Sequence, residues 1–139
     1  MLTLDDWRPQ RWRVALIAHD SRKATLAAFA ARHREALAGW DLLATAGTGE
    51  ALRAATGLKV RTVLPGPRGG DTQIGAEIAT GEIDALVFLR DPDATSHEPD
   101  PVPLLRLADI HNVATATNLA SAECLLRALA PEGAAVPRR

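Results

Sequence analysis

Short apolar runs alternate with longer segments in which apolar residues recur every three to four positions. The alternation predicts five strands, each followed by a helix. Residues 12–18, Trp-Arg-Val-Ala-Leu-Ile-Ala, are mostly apolar on both faces, the pattern of a central strand in a parallel sheet. Residues 23–37 follow with Leu26, Phe29, Ala30 and Leu37 at helical spacing. The second unit is a strand over 40–44, the turn Thr45-Ala46-Gly47-Thr48-Gly49, and a short helix over 50–56 closed by Gly57. A third strand, 58–64, runs into the rigid turn Pro65-Gly66-Pro67-Arg68-Gly69-Gly70, after which Asp71 caps or begins a helix running through Ile74, Ile78 and Ala79 to Gly81. Strand 84–89 is followed by a polar loop over 90–101. A helix over 103–109, a strand over 113–115 and a helix over 119–129 complete the pattern, with residues 1–10 and 133–139 expected to be flexible termini.

Strands separated by helices imply one domain over 1–139, a three-layer α/β/α unit around a five-stranded parallel sheet. In such a sheet ligands bind beyond the carboxyl ends of the strands. The turns rich in Gly, Pro, Asp and Thr all fall at that end.

Composition narrows the function classes. The 139 residues carry 16 basic and 17 acidic side chains, a formal net charge of -1, and are 47% hydrophobic. These values argue against a polybasic nucleic-acid arm, a collagen-like repeat and a wholly disordered chain. No apolar run approaches the roughly 20 residues that span a bilayer. Asp5 and Asp6 stand where a secretory signal would carry a basic start and an apolar middle, so a cytoplasmic protein is expected, without nucleic-acid or membrane partners. Cys124 is the single cysteine, which leaves no internal disulfide and no Cys-rich metal site.

Four polar constellations sit at the strand ends. The turn 45–49 can aim backbone N–H groups and hydroxyls at an anion, or can be a tight turn with Thr48 as a helix N-cap. It lacks the lysine of a Walker loop, and Gly47-x-Gly49 falls short of a dinucleotide fingerprint. Asp71, at the end of a turn with two prolines and three glycines, is either a cap or, facing a closed pocket, a base that removes a proton beside a carbonyl. His19-Asp20 is followed by Lys23 on the first turn of a helix, where a cation opposes the helix dipole unless an anion is bound; a solvent-facing Lys23 with Asp20 as cap is the alternative. The loop 91–100 brings Asp91, Asp93, Glu98 and Asp100 together with His97. Its spacing matches neither an EF-hand nor a helical His-Glu-x-x-His site, so it implies no specific metal, and a solvated acidic lid is the alternative. His33 and His111 receive no catalytic role.

In order along the chain stand Ala18-His19-Asp20 with Lys23, Ala44-Thr45 through Thr48-Gly49, Gly66-Pro67 through Gly69-Gly70-Asp71, and Gly81-Glu82-Ile83-Asp84. Asp91-Pro92, His97-Glu98-Pro99-Asp100 and Ala116-Thr117-Asn118 follow. In these motifs and their spacing the chain closely resembles the methylglyoxal synthase family, over roughly residues 13–126. The resemblance implies a lyase that converts glycerone phosphate (dihydroxyacetone phosphate) to methylglyoxal and inorganic phosphate, with no cofactor and no catalytic metal. It assigns Asp71 as the catalytic carboxylate and general base, His19 and His97 as substrate-binding histidines, with His97 acting near the carbonyl and enediol oxygens. Lys23, Thr45, Ala46, Gly47, Thr48, Pro65 and Gly66 match the phosphate-binding region. Asp20, Asp91 and Asp100 match acidic residues that organise or assist catalysis.

The resemblance also implies a homohexamer inhibited by phosphate. Gly47 replaces the family's usual threonine and Pro65 its usual serine, removing a hydroxyl at each and, at Pro65, an N–H donor as well. The loop before His97 is one residue shorter, and the tail is curtailed relative to relatives whose terminal arginine reaches a neighbouring subunit's phosphate region. The same fold also serves as a noncatalytic regulatory domain that senses small anions. Retention of His19, Asp20, Asp71, His97 and Asp100 favours the enzyme.

Overall fold

The computed structural model describes residues 11–94, 98 and 100–130. Five parallel strands, β1 (Arg13–Ala18), β2 (Asp41–Thr45), β3 (Val60–Val63), β4 (Ala85–Leu89) and β5 (Ala114–Ala116), form one sheet in the order β3-β2-β1-β4-β5. The helices are α1 (Lys23–Arg32), α2 (Arg34–Leu37), α3 (Ala46–Thr56), α4 (Gly70–Ala79), α5 (Val102–Ile110) and α6 (Leu119–Leu129). The three-layer architecture expected from the apolar pattern is the one observed.

The period-2 geometry of a strand explains the two cores. Val14, Leu16 and Ala18 of β1 join Leu26, Phe29, Leu52 and Leu126 from α1, α3 and α6 on one face. Ala15 and Ile17 face the other way, with Phe88, against Ile74, Ile78, Leu104 and Ala108 of α4 and α5. Both faces of β1 and β4 are therefore covered, which is why their sequences read as unbroken apolar runs. The strand order runs outward in both directions from β1 and β4, so the crevice between them is where ligand sites are expected in an open α/β sheet.

Three boundaries differ from the sequence expectation. The continuous helix over 23–37 is broken at His33, whose backbone (φ -110°, ψ 23°) leaves helical geometry before α2. His33 is buried against Phe29, with ring centroids 4.9 Å apart, and its Nε2 lies 2.8 Å from Glu123 Oε2 on α6, a carboxylate that also receives Arg32. The break thus coincides with a tertiary polar contact that periodicity does not register. Secondly, the turn 45–49 is not a loop before a helix. Helix α3 begins at Ala46 with Thr45 as its N-cap residue, so Thr48 lies inside the first turn instead of capping it. Thirdly, the strand edges shift by one residue at β1, β2, β4 and β5 and by up to two at β3, the usual latitude at element ends.

Glu123→Ala is expected to destabilise the fold by about 3 kcal/mol, because it leaves the buried His33 ring with neither nitrogen paired. The midpoint of urea unfolding measures it, and a change below a few tenths of a kcal/mol would refute the role given to this contact.

Candidate active site

Beyond the carboxyl ends of β1, β2 and β3 lies a cavity of about 100 Å³ lined by His19, Asp20, Lys23, Thr45, Gly47, Pro65, Gly66, Pro67 and Glu98. Its walls come from three separate strand ends. The residues 19–23 leave β1 in a short 3-10 turn (Asp20–Arg22) before α1, Thr45 closes β2, and a second 3-10 turn (Gly66–Arg68) follows β3.

His19 is 3% exposed and packs edge-on against Phe88, with centroids 5.3 Å apart and ring planes at 84°. The Asp91 backbone N–H donates to His19 Nδ1 at 2.9 Å. A nitrogen that accepts an N–H carries no proton, so the ring holds its proton on Nε2 and can donate from there. Asp91 is itself fixed: Ser21 Oγ donates to Oδ2 at 2.6 Å and the Asp93 N–H donates to Oδ1 at 2.8 Å. These two hydrogen bonds, Ser21's being the larger effect, hold the Asp91 carboxyl below its ordinary pKa. Asp91 does not line the cavity; its backbone orients a residue that does.

Lys23 begins α1, and its ammonium pairs with the Asp20 carboxylate. That hydrogen bond and charge hold the Asp20 carboxyl below its ordinary pKa, so the pair persists through neutral pH and is lost as pH falls through the lowered value. The Asp20 backbone N–H donates to Glu98 Oε1 at 3.0 Å. A Cβ built on Gly47 would stand 3.1 Å from Lys23 Nζ and 3.4 Å from its Cε. Lys23 therefore lies against the first turn of α3, and the absence of a side chain at 47 is what gives the ammonium that room. The family threonine that Gly47 replaces would have to displace it.

Thr45 is 4% and Thr48 1% exposed. Thr48 Oγ1 accepts the Ala18 N–H at 3.3 Å and the Thr45 hydroxyl, also at 3.3 Å. Thr48 thus ties α3 to the end of β1 from behind the cavity and does not line it, and neither does Ala46. Pro65 has no N–H to offer, yet its carbonyl accepts from both Arg68 at 2.9 Å and Gly70 at 3.1 Å. Those two bonds fold the turn back onto the start of α4. Gly69 takes the left-handed conformation there (φ 106°) that favours glycine. At Gly70 the constraint is space: a Cβ would fall 1.9 Å from Leu64 O and 3.0 Å from Thr45 Cγ2. Consequently α4 starts against the wall of the cavity.

Asp71 is the second residue of α4, half-buried, and the N-cap position belongs to Gly69. Its carboxylate makes no hydrogen bond among the described residues and is not part of the cavity lining. The alternative of a capping aspartate is not what is observed. Asp100 is exposed and accepts the Val102 N–H at 3.0 Å, a turn that leads into α5, outside the lining. His97 lies outside the described residues. Ile17, Ala18, Pro67 and Glu98 are the lining residues to which the sequence assigns no role; adjacency to His19, Gly66 and His97 is the available signal.

Lys23 and the amino end of α3 meet at this cavity, an arrangement that favours a doubly charged oxyanion. The neighbouring His19 supplies a neutral N–H donor.

The MGS-like domain family matches residues 25–117. The chain is 54% identical over 128 residues to the methylglyoxal synthase of Cupriavidus taiwanensis, covering 91% of this chain and 96% of that protein. It is likewise 54% identical over 118 residues to the methylglyoxal synthase of Carboxydothermus hydrogenoformans, covering 84% of this chain and 98% of that one. The crystal structure of methylglyoxal synthase from Elizabethkingia anophelis NUHP1 matches with a TM-score of 0.83 at 36% identity, over 86% of this chain and 79% of the other. Identity at this level over nearly the whole domain, with the same fold, means that the chain belongs to the methylglyoxal synthase family.

Proposed function

We infer that the protein is a methylglyoxal synthase, a carbon–oxygen lyase that converts glycerone phosphate to methylglyoxal and inorganic phosphate. The observation that carries the reading is the convergence of His19, Lys23, Thr45, Gly47 and Gly66 on one cavity, with Asp71 in the first turn of the helix that follows the Gly66 turn, in a chain 54% identical to a methylglyoxal synthase.

In the reaction the Asp71 carboxylate removes a proton from the hydroxymethyl carbon beside the ketone, and the electron pair moves onto the carbonyl oxygen to give an enediolate. The His19 Nε2–H and the His97 imidazole stabilise and redistribute the oxygen-bound charge and protons. The enediolate then expels phosphate: the carbon–oxygen bond breaks, its electrons leave with the phosphate, and the enol of methylglyoxal remains. Protonation of its terminal carbon yields the methyl ketone. Elimination requires the breaking bond to stand parallel to the π system, so the phosphate group must be oriented as well as held. Lys23, with the first turn of α3 and the turn at Gly66, performs that task. Asp20 holds the ammonium in place before substrate arrives, Asp91 orients His19 through its backbone N–H, and Asp100 assists the site. The protein acts in the cytoplasm as a homohexamer in this reading, with inorganic phosphate as product and competing ligand; native mass spectrometry tests the assembly.

The direct test incubates purified protein with glycerone phosphate and measures methylglyoxal and phosphate together. Equal formation of both is expected; phosphate with dihydroxyacetone would mean hydrolysis and would overturn the assignment. Lys23→Gln is expected to raise KM and to lower kcat, since a neutral flexible amide neither neutralises nor orients the leaving group. Proton exchange from labelled substrate should survive in this variant while methylglyoxal formation falls. Unchanged binding and elimination would remove Lys23 from the mechanism.

A further inference from the structure

A second cavity, about 390 Å³, opens beyond the carboxyl ends of β4 and β5, on the other side of the β1–β4 crevice from the catalytic cavity, and the two share no lining residue. Two arginines line it from different elements: Arg22, in the 3-10 turn before α1, and Arg90, directly after β4. Neither is committed to a close partner. Arg22 approaches Asp91 Oδ1 only to 4.0 Å, and the Asp91 oxygens already accept from Ser21 and from the Asp93 N–H. Arg90 makes no side-chain hydrogen bond or ion pair among the described residues. Thr25, Thr117 and Asn118 add polar groups, while Leu89 and Leu119 give the cavity an apolar part.

Two like charges opening on one concave space repel, and an anion placed between them removes that repulsion and satisfies both planar donor sets at once. The volume is that of a small-molecule site. A ligand with oxyanion groups and a short carbon body would use both arginines, the polar groups and the apolar part of this lining.

We propose that this cavity is a second, noncatalytic anion site that binds a small polycarboxylate or phosphate ester between Arg22 and Arg90. Its occupant reaches catalysis through Arg22. Arg22 adds a charge contact at 4.0 Å to an Asp91 carboxylate already held by Ser21 and Asp93, and an anion that draws the guanidinium away removes that contact from the residue whose backbone N–H orients His19. This coupling rests on the catalytic reading above; the binding itself does not.

The experiment therefore reads binding and turnover separately. Citrate and inorganic phosphate are titrated calorimetrically, at ionic strength matched with potassium chloride, into Lys23→Gln protein, whose catalytic cavity has lost its ammonium. One of the two anions is expected to bind, and adding Arg90→Gln should weaken that binding at least tenfold. Citrate alone binding identifies a carboxylate site, phosphate alone a phosphate site. No binding by either, or an affinity within twofold after Arg90→Gln, overturns the proposal. In parallel, Arg90→Gln alone should turn over glycerone phosphate normally in potassium chloride and lose the part of the binding anion's inhibition that excess glycerone phosphate does not relieve, while competition by phosphate at the catalytic cavity persists. Binding that leaves turnover untouched overturns the coupling through Asp91 and leaves the site standing.

Discussion

Asp71→Asn lowers kcat by roughly 100- to 10,000-fold, the range spanned by a positioned general base. Asparagine keeps the size and shape of the side chain but has no basic oxygen able to take a carbon-bound proton. The position tolerates the change structurally, because the Asp71 carboxylate makes no hydrogen bond among the described residues and caps no helix. Circular dichroism and the unfolding midpoint should stay close to those of the unmodified protein, and inorganic phosphate should still bind through Lys23 and the first turn of α3. Loss of wash-out of the labelled proton from glycerone phosphate, in step with loss of methylglyoxal, would locate the defect at proton abstraction. A folded variant with kcat within twofold of the original would eliminate Asp71 as the base.

Gly70→Ala is expected to lower kcat/KM by about 100-fold, although residue 70 carries no chemistry, since a misplacement of about 1 Å in a reacting constellation has that effect. A methyl group there would stand 1.9 Å from the Leu64 carbonyl oxygen and 2.9 Å from its carbon, and backbone atoms cannot rotate out of the way as a side chain can. The start of α4 must move, taking Asp71 with it and loosening the contact with Thr45 on the cavity wall. Overpacking of this kind costs about 1–3 kcal/mol of stability, so the variant should fold with a lowered midpoint. The same change at Gly57 strains a left-handed helix end (φ 70°) but meets nothing within 4 Å and touches no part of the site. Activity of Gly70→Ala equal to that of Gly57→Ala would show that the approach of α4 to β3 does not set the catalytic geometry.

The two outcomes separate chemistry from placement. Asp71→Asn removes a basic atom without moving the scaffold; Gly70→Ala moves the scaffold without removing an atom. Lys23→Gln falls between them, because its ammonium both neutralises charge and lies against the Gly47 backbone.

By itself the sequence determined the layers and the end of the sheet that carries function. Val14, Leu16 and Ala18 alternating with Ala15 and Ile17 specify a strand buried on both faces, and local periodicity is enough to read that, because alternation is a property of the strand itself. The motif residues His19, Lys23, Thr45 and Gly66 were legible for the same reason: each sits in a turn whose composition departs from its surroundings. Their assembly was not legible, since they belong to three strand ends brought side by side only by the order β3-β2-β1-β4-β5. Tertiary structure alone decided that Asp91 serves His19 through its backbone, that Thr48 turns inward to Ala18, that the helix after Lys23 breaks where His33 meets Glu123, and that Gly70 must be bare beneath Leu64. Each of these is a contact between residues distant in sequence or a clash with a backbone path that is absent until the sheet has formed. A pattern confined to neighbouring residues carries no record of either.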